Sequence, residues 1–413
     1  MKNLFKKFIC CILILLIMLS IYGFTPSCDL IEKEIAQIIA NEAFSNLSQK
    51  YWTFSNCINL TDLNGNLTYY CFDYFYNKKP VGYIVISANV EYELITEYSD
   101  SSISPYINNS QESTIYYNPF SKYSKIENSF YDEKGNLIQK DNIEKKFIKA
   151  KDKDSNKEIL KEIKKRKKEY QAGGQNIPSN AIDGGYDCIF KQPDYLSYEY
   201  GGSWSAYGYH SLESNIVNNE MLSICNKMND VTVDGRKLVN ENHCGLTALA
   251  NAMLYHRTSS CGNFPSNNSV NDSGYISMMN RLANVAYENG YFNPFDQSYI
   301  YVTDLSALVS KAFSSYGYNN ASSSVKYTPS WSVITNELES GNRPFVMWLD
   351  GDRYQEHFVT AYAYNRYRSY YGGVQRVINF LKVAPGDFNQ GVYVNFNSLQ
   401  SYGDYTMITV LPY

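Results

Sequence analysis

The chain has 413 residues, enough for two or three domains, and a formal net charge of −4. So small an imbalance does not point to nucleic acid or to a strongly charged partner. Tyrosine is abundant, at 40 residues; with frequent Asn, Lys and Ser this reads as the coding bias of an AT-rich bacterial genome, and it assigns no chemistry.

Residues 1–27 have the layout of an export signal. Lys2, Lys6 and Lys7 precede an apolar run over 8–24, followed by Thr25-Pro26-Ser27. The expected location is therefore extracellular. The same run is about as long as the shortest membrane anchor, and lipidation of Cys28 would make the product a lipoprotein, although Thr25-Pro26 is a poor context for it. No later segment is long and apolar enough to span a membrane.

Over 31–47, apolar residues at Ile31, Ile35, Ile38, Ile39, Ala43 and Phe44 predict a helix. Strand-like runs follow at 52–60, 68–76, 81–87 and 92–98. One helix and a small antiparallel sheet make a compact α+β domain over 28–125. Cys57 and Cys71 flank a turn at Leu63-Asn64-Gly65-Asn66. A three-residue loop at 63–65 would set them opposite each other, where an exported protein could join them in a disulfide. Residues 126–174 read as a basic linker. Between 145 and 168 there are twelve Lys or Arg against four Asp or Glu, with a single aromatic residue, Phe147, too few to interleave and stack on bases. A solvated segment of this kind is open to proteases.

Residues 175–413 read as a second domain. Helical patterns lie at 244–256, 276–288, 304–315 and 331–339. Strand-like runs lie at 343–349, 357–364, 374–383, 391–396 and 405–411. Within ENHCGLTALANAMLYH, Leu246, Leu249, Ala250, Met253 and Leu254 form one apolar face. Ala248, Ala250 and Ala252 let other backbone approach. Cys244 falls at the start of this helix, where free N–H groups and the positive end of the dipole favour an anionic sulfur.

A thiol nucleophile needs a base, and the chain has only four histidines. His210 lies in a loop-like stretch. His243 adjoins Cys244, and adjacent residues do not face each other. His256 lies twelve residues along the same helix, roughly 18 Å away. His357 opens a strand-like run, HFVTAYAY, and is the expected partner. The third residue follows from the next hairpin. A loop centred near 371 pairs His357 with about residue 385, which favours Asp387 as the group orienting the imidazole, with Asn389 beside it. Asn379 would pair near 363, on the order of 20 Å from His357. Asn242, and less closely Asn240, would accompany the Cys244 N–H as oxyanion donor.

The run HCGLTALANAMLYHRTSSCGNFP resembles the nucleophile segment of streptopain-type cysteine peptidases through Cys244, Thr247-Ala248, Tyr255-His256 and Pro265. GNRPFVMWLD and EHFVTAYAYN resemble the Gly-x-x-Pro strand and histidine strand of that family and of the bacteriocin-leader-peptidase-like group. KKPVGYIVISANVEYELITEYSDSS, with Gly82 to Ser99, resembles the streptopain propeptide. The Asn-Trp-Gly-Trp-Gly stretch of streptopain-like chains is absent, and the histidine strand is followed by Pro385-Gly386-Asp387.

The resemblance implies a papain-like α+β peptidase domain, a helical part plus an antiparallel sheet, preceded by a small α+β prodomain. It also implies a secreted endopeptidase made as a zymogen. The expected partners are a protein or peptide substrate and the chain's own prodomain, with no cofactor, no metal and no nucleic acid. Contact with a membrane would come only through the signal or a lipid at Cys28. Two other readings use the same residues: a cell-wall amidase with Cys–His chemistry, and an exported binding module without catalysis. A zinc site from His243, Cys244, His256 and Cys261 would match no common ligand spacing.

Overall fold

A computed structural model describes residues 30–412 except 49, 90–91, 108–110, 120, 132–134, 136, 141–204, 212–231, 238–242, 258–259, 266–272, 297–298, 350–356, 372–373, 385–390 and 398–404. The export signal, Cys28 and most of the basic linker lie outside the described residues.

The N-terminal half begins with helix α1 (Lys33–Ser48) and continues through β1 (Phe54–Thr61), β2 (Leu67–Tyr76), β3 (Lys79–Ser87) and β4 (Ile95–Ser99). Four more strands follow: β5 (Glu112–Asn118), β6 (Ser121–Ile126), β7 (Ser129–Tyr131) and β8 (Leu137–Ile138). The strands therefore run on past residue 126, where composition starts the linker. Ile31, just ahead of α1, and Ile35, Ile39 and Phe44 on successive turns of it are buried against β2 and β3. Phe44 stacks on Tyr74 with ring centroids 4.0 Å apart. Gly82 makes this approach feasible, since a Cβ there would lie 2.2 Å from the Ser99 carbonyl oxygen and 2.7 Å from the Phe44 ring.

The C-terminal half comprises β9 (Ser205–Ser211), β10 (Thr232–Val233), β11 (Arg236–Lys237), α2 (Cys244–Arg257), α3 (Ser273–Glu288), α4 (Val302–Ser314), β12 (Val325–Tyr327) and α5 (Trp331–Glu339). It closes with β13 (Phe345–Leu349), β14 (His357–Tyr371), β15 (Val374–Ala384), β16 (Val392–Asn395) and β17 (Tyr405–Thr409).

These strands correct the expected fold class. The structure is not a papain-like helical domain with a small sheet behind a separate prodomain. Strand outweighs helix, and fifteen described strands belong to one sheet. Its path is β12-β17-β13-β14-β15-β16-β4-β3-β2-β1-β5-β6-β7-β8, with β9 beside the far part of β14. All described pairings are antiparallel except β1 with β5. Local sequence period gives strands but not their neighbours, so it could not show that β16 pairs with β4 across almost 300 positions.

That pairing joins the halves. Tyr393 lies opposite Tyr98 and Val394 opposite Glu97. The Tyr98 and Tyr393 rings stack at 4.4 Å, and Phe380 meets Tyr98 edge-on at 5.1 Å. Ile378, Phe380 and Tyr393 share one buried cluster with α1, β2 and β3. Two residues on each side of the register thus sit over a common apolar core.

The β1–β2 register also corrects the cysteine expectation. Cys57 lies opposite Phe72, and Cys71 opposite Ile58. A bulge at Leu60/Thr61 displaces the ladder by one residue, and a one-residue displacement sends the two thiols to opposite faces. Cys57 accordingly packs with Phe72 beneath α1, and Cys71 packs with Ile58 on the other side. Both are free thiols.

The shared core yields a test. Phe380→Ala should cost ~3–5 kcal/mol. Hydrogen exchange should report that loss in the backbone amides of α1 as well as in the C-terminal strands. Unchanged protection of α1 would mean that the halves unfold separately.

Candidate functional site

Helix α2 is buried on every side from Gly245 to His256. The sequence pattern predicts one apolar face; the structure encloses the whole helix. Met278, Met279 and Leu282 of α3 and Leu305, Leu308 and Val309 of α4 cover it on one side. Val346 of β13, Phe358 of β14 and Ile408 of β17 cover it on the other. Thr247, Asn251 and His256 are buried with it. Cys244 is the first helical residue and is half-buried at the rim of this cluster. The His243 carbonyl accepts the Thr247 N–H at 3.0 Å, which is the first helical bond. The N–H groups of 244–246 precede that bond and point out of the helix start.

Two contacts fasten α2 to β14. The Thr360 hydroxyl donates to the Ala248 carbonyl at 2.8 Å. Gly245 lies against Phe358, since a Cβ at 245 would come within 3.4 Å of the Phe358 ring and 2.6 Å of Ile300 Cγ2. The contacts pair 245 with 358 and 248 with 360, so helix and strand run in the same sense. Cys244 and His357 are the residues immediately before the first contact, at one end of the pair.

His357 opens β14 opposite Leu349, and Phe358 lies opposite Trp348. Strand alternation turns Phe358 and Thr360 towards α2 and the Cβ of His357 towards the face of Leu349 and Val359.

The other histidines lie elsewhere. His210 pairs with Tyr364, seven strand positions from His357, or roughly 23 Å. His256 is at the far end of α2, buried and in edge contact with Phe313. Burial chiefly, with Arg343 nearby, lowers its pKa to about 4, against the pull of a backbone hydrogen bond at Val410. It is a neutral packing residue at physiological pH. His243 and Cys244 stand at one end of α2 and His256 and Cys261 at the other, roughly 18 Å apart, so the four do not share a metal ion.

Three other described cysteines are held as thiols. Burial pushes Cys57 up to about 11, Cys71 well above the ordinary thiol value and Cys261 upwards, the last partly offset by a hydrogen bond from Ser260. Asn242, Asp387 and Asn389 lie outside the described residues, as does Asn240. Asn379 pairs with Arg366 of β14, nine positions from His357 and on the order of 30 Å away, so it does not orient that imidazole. The Thr360 tie was not among the expected site residues. Its signal was present as a polar residue inside HFVTAYAY, where the other inward positions are apolar.

The chain matches no protein-family model and no curated protein.

Gly245→Ala should overpack the junction of α2, Ile300 and β14. A loss of ~1–3 kcal/mol is expected in denaturant titration, and no loss would mean that Ile300 yields freely. His256 gives a pH signature. Its folded pKa lies below the unfolded value near 6.5, so its contribution is complete above about pH 6.5 and falls as pH drops towards 4. Wild type should lose on the order of 3 kcal/mol more than His256→Gln over that window. Equal slopes would exclude a buried neutral imidazole.

Proposed function

We propose that the chain is an exported cysteine endopeptidase made as a zymogen, with Cys244 as nucleophile and His357 as its base. One observation carries the reading: a half-buried cysteine opens an enclosed helix whose start is fixed beside the start of the strand that opens with His357. The enclosure limits movement of the helix, and preorganisation of this kind is what a nucleophile needs.

In this reading His357 takes the thiol proton, and the sulfur attacks the peptide carbonyl carbon. The Cys244 N–H and the side chain of Asn242 hold the oxyanion. The imidazolium then protonates the leaving amine as the C–N bond breaks. Water, deprotonated by His357, attacks the thioester and releases the acid. For this the His357 ring has to reach the start of α2 from the start of β14.

Asp387 is the proposed orienting residue. Thr360 pairs with Ala384, whereas a loop centre at 371 would have paired it with residue 382. The described register is displaced by two at that rung; Asp387 lies outside the described residues and is proposed from its place in the sequence. The proposed partners are a protein or peptide substrate and the N-terminal half, which acts as an inhibitory unit; the basic run over 145–168 is the proposed place of cleavage. Secretion rests on the signal-like residues 1–27. No described helix is long and apolar enough to cross a membrane.

Cys244→Ala and His357→Ala should each lower peptide hydrolysis by at least ~10³-fold, with the double variant no worse than either alone. Asp387→Ala should lower it by less. Full casein hydrolysis by folded Cys244→Ala would end the peptidase reading, and additive losses would mean that the two residues do not act as one unit.

A further inference from the structure

We infer that cutting the linker leaves the N-terminal half seated in the sheet, so that residues 31–138 and the C-terminal half remain one two-chain particle until the β4–β16 joint is opened. The persistence of the particle stands on the joint alone; its effect on activity rests on the reading of the N-terminal half as an inhibitory unit.

The joint is more than an edge contact. Besides the Tyr98–Tyr393 stack, the Asn365 side-chain amide donates to the Tyr98 hydroxyl at 2.7 Å. The Asn395 amide donates to the Ile95 carbonyl and to Glu93, both at 2.9 Å. Lys382 pairs with Asp100 at 3.0 Å and lies over the Tyr393 ring at 4.6 Å. Lys382 is only 1% exposed, and its described ion-pair partner comes from the other half.

Departure of the N-terminal half would uncover several groups at once. The edge of β16 would lose its ladder partner. Ile378, Phe380 and Tyr393 would lose α1 and β4 as cover. Asn365, Asn395 and Lys382 would lose the described partners named above. None of these contacts passes through residues 141–204, where the tryptic sites of the linker are concentrated. Cutting there leaves every contact named above in place.

The experiment is tryptic cleavage of the full exported chain, followed by gel filtration at low micromolar concentration under native conditions. Fragments are identified by mass. The expected result for wild type is one peak holding both halves. Asp100→Lys sets a like charge against Lys382 and should weaken the association roughly 10- to 100-fold, giving two peaks after cleavage. The uncut Asp100→Lys chain, whose tether keeps the halves at high effective concentration, serves as the folding control by circular dichroism. Asn365→Leu is a second variant that removes the bond to Tyr98 without adding charge, and it should weaken the association in the same direction.

Separation of the wild-type halves on cleavage overturns the inference. So does an undiminished single peak from both variants, because the joint would then not be what holds them. Peptidase activity measured on the same fractions is a separate readout. Low activity in the joined peak that rises in the separated C-terminal half fits the inhibitory reading. Equal activity in both sinks that reading and leaves the two-chain particle intact.

Discussion

The rest of the structure depends on a short strand pairing, β4 with β16. Two described rungs, Tyr98–Tyr393 and Glu97–Val394, turn two sheets into one. Around them lie a stacked aromatic pair, a buried lysine with its aspartate and two amides bonded across the halves. Each polar group there is costly to bury alone and inexpensive to bury with its partner. The pairing therefore favours both halves together over either one by itself. It also places α1 over strands from both halves, so the apolar core beneath α1 belongs to neither half alone.

On the other side of the joint, the same sheet carries β13, β14 and β17, against which α2 is enclosed. An enclosed helix cannot slide along a strand without breaking the Thr360–Ala248 bond and the close fit of Gly245 against Ile300 and Phe358. The start of α2 is thereby a fixed point. Cys244 stands at that point, and His357 opens the strand to which the helix is tied. Burial has removed His256 from the chemistry and made it a packing residue; strand pairing has carried His210 well along β14.

Much of the element inventory was legible. The helices at 31–47, 276–288, 304–315 and 331–339 and most C-terminal strands have clear periods of 3.6 or 2 and appear within a few residues of the expected bounds. The short strands β5 to β8 were not legible, because runs such as ESTIYYN and SKYSKI mix polar and aromatic residues without a clean alternation. The pattern on α2 predicted one apolar face, and enclosure by α3, α4 and the sheet buries Thr247, Asn251 and His256 as well. A single bulge at Leu60/Thr61 separated Cys57 from Cys71, an event that spacing cannot report. The fold class failed for the same kind of reason: sequence gives strands, while edge-to-edge partners are decided by surfaces far apart in the chain. Of the candidate site, Cys244 and His357 were reached by elimination among four histidines and by helix position. The described register adds a two-residue displacement that the loop centre had concealed.

The central claim is that Cys244 and His357 work as one nucleophilic unit. The most direct measurement is covalent labelling of the folded, trimmed protein by an epoxide inhibitor of thiol peptidases, with the modified residue mapped by mass spectrometry. The account predicts one label per chain, on Cys244, absent in Cys244→Ala and strongly slowed in His357→Ala, with Cys57, Cys71 and Cys261 unmodified. Labelling of Cys244 at the same rate in His357→Ala, or a label placed elsewhere, would contradict it.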